Sequence, residues 1–225
     1  MSAKLGILIY ENVQPMDVIG PWEVFAYWKK ISSVPLDTYL IAEQGGYVEC
    51  DNGIILKAHQ DFKHCPQLDY FIVPGGQGRL KEVNNPELIS FIIRQAQKCQ
   101  YVISICTGMF LLYKAGILTH KKVTTYWRAL SELKAFTDIE VIENRIVKDQ
   151  HIWTSGGVSS GIDLALAFIA EVAGKEIAGQ VQLLFEYFPA NTVYCNQETV
   201  ASLPPYGKNN NSHLPEYIQN YIRSV

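Results

Sequence analysis

Basic clusters are missing from this sequence of 225 residues. Nineteen Lys and Arg stand against 22 Asp and Glu, for a net charge of −3 and a pI near 6.0. That removes the electrostatic footprint of a nucleic-acid binder and leaves small molecules or proteins as partners. No apolar run approaches membrane-spanning length, and the first residues enter a strand-like segment with no basic and then apolar leader. The expectation is a soluble, cytoplasmic protein with no membrane partner. Paired cysteines are missing too: Cys50, Cys65, Cys99, Cys106 and Cys195 are odd in number, widely spread and without a C-x-x-C. This argues against a disulfide framework and a structural zinc site. His59, His64, His120, His151 and His213 are just as scattered, so no metal site is expected. Internal repeats are absent.

What is present is a 48% hydrophobic chain, long enough for a large core. Its organising stretch is Tyr101-Val-Ile-Ser-Ile-Cys106-Thr-Gly-Met-Phe-Leu-Leu-Tyr-Lys-Ala-Gly116. Tyr101 to Ile105 is short, apolar and β-branched, as a strand covered on both faces should be. After Cys106 the period becomes helical through Phe110, Leu111 and Ala115, with Gly116 placed to end it. Ser104 and Gly108 flank the thiol at two residues' distance, the small-x-Cys-x-small order that a nucleophile elbow needs. A thiol at a helix N-terminus is expected to have its pKa lowered from about 8.5, favouring thiolate. A buried structural cysteine closing a central strand would carry the same local pattern.

Other segments fit around this joint. Lys4 to Tyr10 predicts the first strand. Met16 to Lys30 predicts a helix that Gly20-Pro21 breaks, with the main part starting near Pro21. Asp17, at its start, is either a first-turn acid or a carboxyl aimed into a site. Strands are predicted at Asp37 to Ala42, Ile54 to Lys57 with Tyr47 to Glu49 as its partner, and Leu68 to Val73. The last of these runs into Pro74-Gly75-Gly76-Gln-Gly78, whose backbone amides suit an anion or oxyanion. A helix follows from Pro86 to about Lys98, capped by Asn84 or Asn85. Lys122 to Tyr126 predicts a strand and Trp127 to Phe136 a helix. Glu140 to Ile142, Arg145 to Lys148 and Ile152 to Thr154 predict strands, the last opening into a Gly/Ser turn before a helix from Ile162 to Ala173. There Asp163 reads as a first-turn acid. A helix from Lys175 to about Glu186 closes a single domain over residues 1–189. Residues 190–225, rich in Asn, Pro, Ser and Tyr, form a partly irregular extension with a short docking helix at Leu214 to Ile222. Strands alternating with helices argue for a doubly wound α/β sheet, with Asp17, Gly75-Gly76 and Cys106 gathered at one edge.

GILIYENVQPMDVIGPWEVF (6–25), LDYFIVPGGQG (68–78), YVISICTG (101–108), AGILTHKKVTTYW (115–127) and WTSGGVSSGIDLALAFIAEVAG (153–174) resemble the ThiJ/PfpI superfamily, of glutamine-amidotransferase-like fold. The elements D-x-x-G-P-x-[DE]-V and S-G-G-x-x-x-G-I-D bring the match to its isonitrile hydratase branch. The resemblance implies a flavodoxin-like three-layer α/β sandwich with a mainly parallel sheet and a cysteine nucleophile elbow. It also implies a homodimer, a small-molecule substrate, and no metal or organic cofactor. By the same resemblance Cys106 is the nucleophile and Asp17 the acid/base. The amides of Thr107, Gly75 and Gly76 make an oxyanion pocket, and the Thr107 hydroxyl helps orient a water or the carboxyl. Ile19, Trp22, Tyr126 and Trp127 are candidate apolar walls for a substrate. No helix-turn-helix follows the domain, unlike in regulator members.

One position departs from the pattern. Where relatives carry His after two threonines, this chain has Tyr126. A phenol, with an ordinary pKa of about 10, is no general base near neutral pH. Cys-His amidase or protease chemistry is therefore disfavoured, while hydration of an isonitrile to an N-substituted formamide, which leans on Cys106 and Asp17, is left intact. The alternatives are a non-catalytic redox or stress-response protein with an oxidisable Cys106, and a glyoxalase- or deglycase-like activity on reactive carbonyls.

Overall fold

The structure, a computed structural model, describes residues 2–32 and 36–189. The extension over 190–225 and its expected helix, Leu214 to Ile222, lie outside the described residues. Strand β1 (Ala3–Leu8) leads into helix α1 (Pro15–Ile31), then β2 (Leu36–Ala42), the hairpin of β3 (Tyr47–Glu49) and β4 (Ile55–Lys57), and β5 (Gln60–Asp61). Next come β6 (Tyr70–Val73), α2 (Arg79–Glu82), α3 (Pro86–Ala96), β7 (Tyr101–Ile105) and α4 (Met109–Lys114). The chain continues through β8 (Lys122–Val123), α5 (Leu130–Leu133), β9 (Glu140–Val141), β10 (Ile146–Asp149), β11 (Ile152–Ser155), α6 (Ser160–Ala173) and α7 (Lys175–Leu184).

The most apolar of these strands take the middle of one seven-stranded sheet, in the order β10-β11-β7-β6-β1-β2-β5. All pairings are parallel except that of β10 with β11. Every residue of β6 and β11 is buried, as are four of the five in β7, which is what a sheet covered on both faces requires. Successive residues show the two faces directly. Tyr70 meets Phe168 of α6 edge-on at 5.1 Å, while Phe71 meets Phe91 of α3 at 5.8 Å. Helices α1, α6 and α7 pack together, and α4 packs on α2 and α3. This is the expected α/β sandwich with a mainly parallel central sheet. Val73 registers with Ser104, and Ser155 with Ile105, so β6, β7 and β11 end level and deliver their following loops to one place.

Several local expectations change. Helix α1 is not broken at Gly20-Pro21 but runs unbroken from Pro15, with Gln14 as its cap and Pro21 inside. Proline there forgoes one intrahelical bond. The compensation is packing: a Cβ at Gly20 would lie 3.1 Å from Ile162 Cγ1, and one at Gly161 would lie 3.1 Å from Pro21 Cγ. The two glycines let α1 and α6 approach closely. Strand β8 stops at Val123 rather than reaching Tyr126, and Trp127–Ala129 is a 3₁₀ turn before the single turn of α5. The cap of α3 is Asn85, whose side chain accepts from the amides of Glu87 and Leu88. On the aromatic face of α1, Trp28 is buried, while the half-buried Tyr27 packs on Phe185 and the half-buried Trp22 stacks on His59 at 5.4 Å.

Candidate active site

Strand β7 arrives at Ile105 in extended conformation, and the next residue turns left-handed, Cys106 having φ of 58°. That conformation costs an ordinary residue about 1–2 kcal/mol and persists only when its surroundings over-determine it. Here they do. The Cys106 amide donates to Gly156 O at 2.9 Å, and the Thr125 hydroxyl donates to Cys106 O at 2.8 Å. The small neighbours are required by contact: a Cβ at Gly108 would lie 2.0 Å from Val73 O, and one at Gly75 would lie 2.5 Å from Thr107 N. Ser104 is buried, and its hydroxyl finds no partner.

Beside the thiol stands Asp17, fully buried in the first turn of α1. Its Oδ2 accepts the Gly75 amide at 3.0 Å and its Oδ1 the Val158 amide at 3.1 Å. The Cys106 side chain is its third hydrogen-bond partner. Burial outweighs all three and raises the carboxyl to about 7, so near neutrality it is poised between acid and base. The thiol does not follow the expectation of a lowered pKa. Burial first, and then the charge of Asp17, push Cys106 up, while the amide and hydroxyl of Thr107 and the amide of Val158 work against them. The sulfur is buried, and a carboxyl brought in from α1 is in contact with it; a strand-to-helix pattern contains neither.

The Gly-rich loop contributes differently from the expectation. The Gly75 amide is committed to Asp17, and the Gly76 amide donates to Thr107 Oγ1 at 3.2 Å, so neither is left over for an oxyanion. Thr107, by its amide and hydroxyl, and Val158, by its amide, are the groups that face the sulfur. Val158 and Gly157 were not singled out as site residues from the sequence. The available signal was the Gly/Ser turn after a strand neighbouring the cysteine strand. Tyr10 was also missed: its hydroxyl donates to Pro74 O at 2.8 Å, and burial, with Asp17 and Cys106 nearby, holds its pKa well above the ordinary value.

Of the four candidate wall residues, Tyr126 lies against Gly157 beside the sulfur. Trp127 meets Tyr126 edge-on at 6.0 Å. Ile19 is half-buried, two residues along α1 from Asp17. Trp22 is turned onto His59 instead. Of the described histidines, His59 accepts the Leu40 amide through Nδ1 and His64 pairs through its ring with Asp61, while His120 and His151 bond to Asp138 O and the Val102 amide through their backbones. Among the described residues no group of three His, Cys, Asp or Glu side chains could hold a metal ion, and no helix is long and apolar enough to cross a membrane.

A doubly wound sheet with a strained cysteine at the end of a central strand and a buried acid in contact with it places this chain in a defined class. The model of the DJ-1/PfpI family matches residues 3–171, and the chain belongs to that family. Among its relatives, isonitrile hydratase of Pseudomonas putida is 36% identical over 191 residues, spanning 84% of this chain and 81% of that protein. The HTH-type transcriptional regulator GbdR of Pseudomonas aeruginosa (strain UCBPP-PA14) is 23% identical over 186 residues, 82% of this chain but 50% of the regulator. The crystal structure of a ThiJ/PfpI family protein from Pseudomonas syringae superposes with a TM-score of 0.80 at 26% identity, covering 99% of this chain and 87% of that one. Drosophila melanogaster DJ-1beta shares the fold, with a TM-score of 0.73 at 20% identity over 84% of this chain and 100% of that one.

Proposed function

We propose that this protein is a cysteine-dependent hydratase that converts isonitriles to N-substituted formamides, with Cys106 as nucleophile and Asp17 as proton carrier. The observation that carries this reading is the buried Asp17 carboxyl, raised to about 7 and in hydrogen-bonding contact with a thiol that burial keeps protonated. A thiol held neutral needs a base at hand, and Asp17 is that base. As a carboxylate it takes the Cys106 proton and passes it to the isocyanide carbon while the sulfur adds there, forming a thioimidate. Asp17, a carboxylate again, then takes one proton from water as the water oxygen adds to the same carbon, and delivers that proton to the imine nitrogen. Collapse of the adduct to the carbonyl breaks the C–S bond, releases the formamide and passes the remaining hydroxyl proton to sulfur. One water is consumed, and no electrons leave the substrate.

The 36% identity to isonitrile hydratase over most of both chains supports the same reading. Assembly as a homodimer is proposed from the family resemblance alone. A mass of one chain by light scattering at micromolar concentration would remove it.

Conversion of cyclohexyl isocyanide to its formamide, followed by gas chromatography, tests the assignment. Asp17→Asn keeps the shape but cannot cycle a proton, and the expected loss is at least about a hundredfold. Cys106→Ser is expected to be inactive. Wild-type protein that yields no formamide, yet converts Cys106 cleanly to sulfinate under mild peroxide, would hand the site to the redox reading. An Asp17→Asn variant near the wild-type rate would leave hydration in place and remove Asp17 as proton carrier.

A further inference from the structure

Cys106 is only 6% exposed, and Tyr126 is part of what covers it. A methyl group placed on Gly157 would sit 3.2 Å from Cys106 Sγ and 2.5 Å from Tyr126 Cδ2. Sulfur and phenol ring therefore face each other across a bare glycine. The backbone that carries the ring is tied down. The Thr124 amide donates to Thr154 Oγ1 at 2.8 Å, the Thr124 hydroxyl to Asn144 O at 2.9 Å, and the Thr125 hydroxyl to Cys106 O at 2.8 Å. On the other side the Ala129 amide donates to Tyr126 O at 2.8 Å, and the Trp127 ring, with the Arg128 guanidinium 5.1 Å from its centroid, braces the phenol edge-on. Further directions around the sulfur are taken by the Thr107 and Val158 amides and the Asp17 carboxyl.

We propose that Tyr126, seated on Gly157, is a specificity-determining gate that admits only slender groups presented end-on to Cys106, and so favours terminal isocyanides over carbonyl compounds. This rests on the hydratase reading for its substrate class. The reactive carbon of an isocyanide ends a linear array of atoms, which can reach the sulfur along its own axis. A carbonyl carbon is trigonal: attack from above its plane swings the oxygen and two substituents sideways, into the volume the ring occupies. A smaller side chain at position 126 opens that volume.

The test compares how fast Cys106 is modified by a slim and by a broad thiol reagent, methyl methanethiosulfonate and N-ethylmaleimide, with the Cys106 peptide quantified by mass spectrometry. In Tyr126→Ala the maleimide rate is expected to rise at least about tenfold relative to the thiosulfonate rate, equivalent to about 1.4 kcal/mol of barrier. Tyr126→Phe, which keeps the ring, is expected to hold the wild-type ratio. If Tyr126→Ala does not fold, as judged by circular dichroism, Tyr126→Leu replaces it with the same expectation at smaller size. A ratio that stays within about twofold of wild type in the folded variant, or that shifts equally in Tyr126→Phe, overturns the gate. Labelling needs no turnover, so the two proposals fail separately. Active wild type with an unmoved ratio removes the gate alone, and inactive wild type with a shifted ratio removes the hydratase reading alone.

Discussion

Asp17 Oδ1 accepts the amide of Val158, 141 residues further along the chain, at 3.1 Å, while Oδ2 accepts the amide of Gly75 at 3.0 Å. Each amide is aimed by its surroundings. Val158 sits at φ of 54°, a conformation that a β-branched residue rarely adopts, and so presents its N–H inward before α6 begins. The peptide of Gly75 is held from its other end, where Pro74 O accepts the Tyr10 hydroxyl at 2.8 Å. Both carboxyl oxygens are thus oriented by backbone, and the geometry with the Cys106 thiol does not depend on a mobile side chain. Among the described residues no histidine contributes to the setting of the sulfur, and this is how a carboxyl acquires a base's position.

A pH dependence follows from the Asp17 value near 7 and the raised thiol. The competent state of the pair carries one proton shared between carboxyl and sulfur, whichever atom holds it. Below pH 7 the pair is doubly protonated, so kcat/KM for an isocyanide is expected to rise tenfold per pH unit and level off above about 7. No second fall is expected up to pH 9, because the thiol titrates well above that. A flat profile between pH 5 and 8 would mean that Asp17 does not gate the reaction.

Stability carries the same proton in the opposite sense. The carboxyl titrates near 3.8 when free and near 7 in the fold, so the folded state binds the proton more tightly between those values. The unfolded state then holds fewer protons, and stability falls as pH rises through that window, by a cost on the order of a few kcal/mol. Asp17→Asn removes this titration, although it loses one of the two amide acceptor positions. The difference in unfolding free energy, variant minus wild type, is therefore expected to grow in the variant's favour from pH 5 to pH 8. Denaturant melts at the two pH values measure it, and a difference that does not move with pH would place Asp17 at an ordinary carboxylate value.

The sheet and the elbow were legible because their signals are local. Tyr101 to Ile105 is an apolar strand whose period changes at Cys106, and position 108 is glycine where a Cβ would lie 2.0 Å from Val73 O. Asp17 was visible as a first-turn acid, but its two amide partners come from Gly75 and from a residue 141 positions away, and no local pattern encodes that. The Gly20-Pro21 pair misled for a related reason. Read locally it is a helix breaker, whereas packing of Gly20 on Ile162 and of Pro21 on Gly161 makes it a helix contact. The direction of the thiol's pKa likewise turned on burial and on a neighbour from another element, neither of which a strand-to-helix pattern contains.

Thr125 tests whether the strain at Cys106 belongs to the chemistry. Its hydroxyl donates to Cys106 O at 2.8 Å, and both groups are buried, so the bond fixes the left-handed turn from the carbonyl side as Gly156 fixes it from the amide side. Thr125→Val keeps the shape and leaves that carbonyl without its donor, at an expected cost of about 1–3 kcal/mol in unfolding free energy. The turn is then free to relax toward an ordinary conformation, carrying the sulfur away from the Asp17 carboxyl and from the amides of Thr107 and Val158. A loss of about tenfold in kcat with KM little changed is the expected result, corresponding to about 1.4 kcal/mol of positioning. Thr125→Ser restores the donor and should recover most of both. If Thr125→Val is destabilised to this extent yet keeps the wild-type kcat, the hydroxyl supports the fold alone and the strained turn is not what positions the nucleophile.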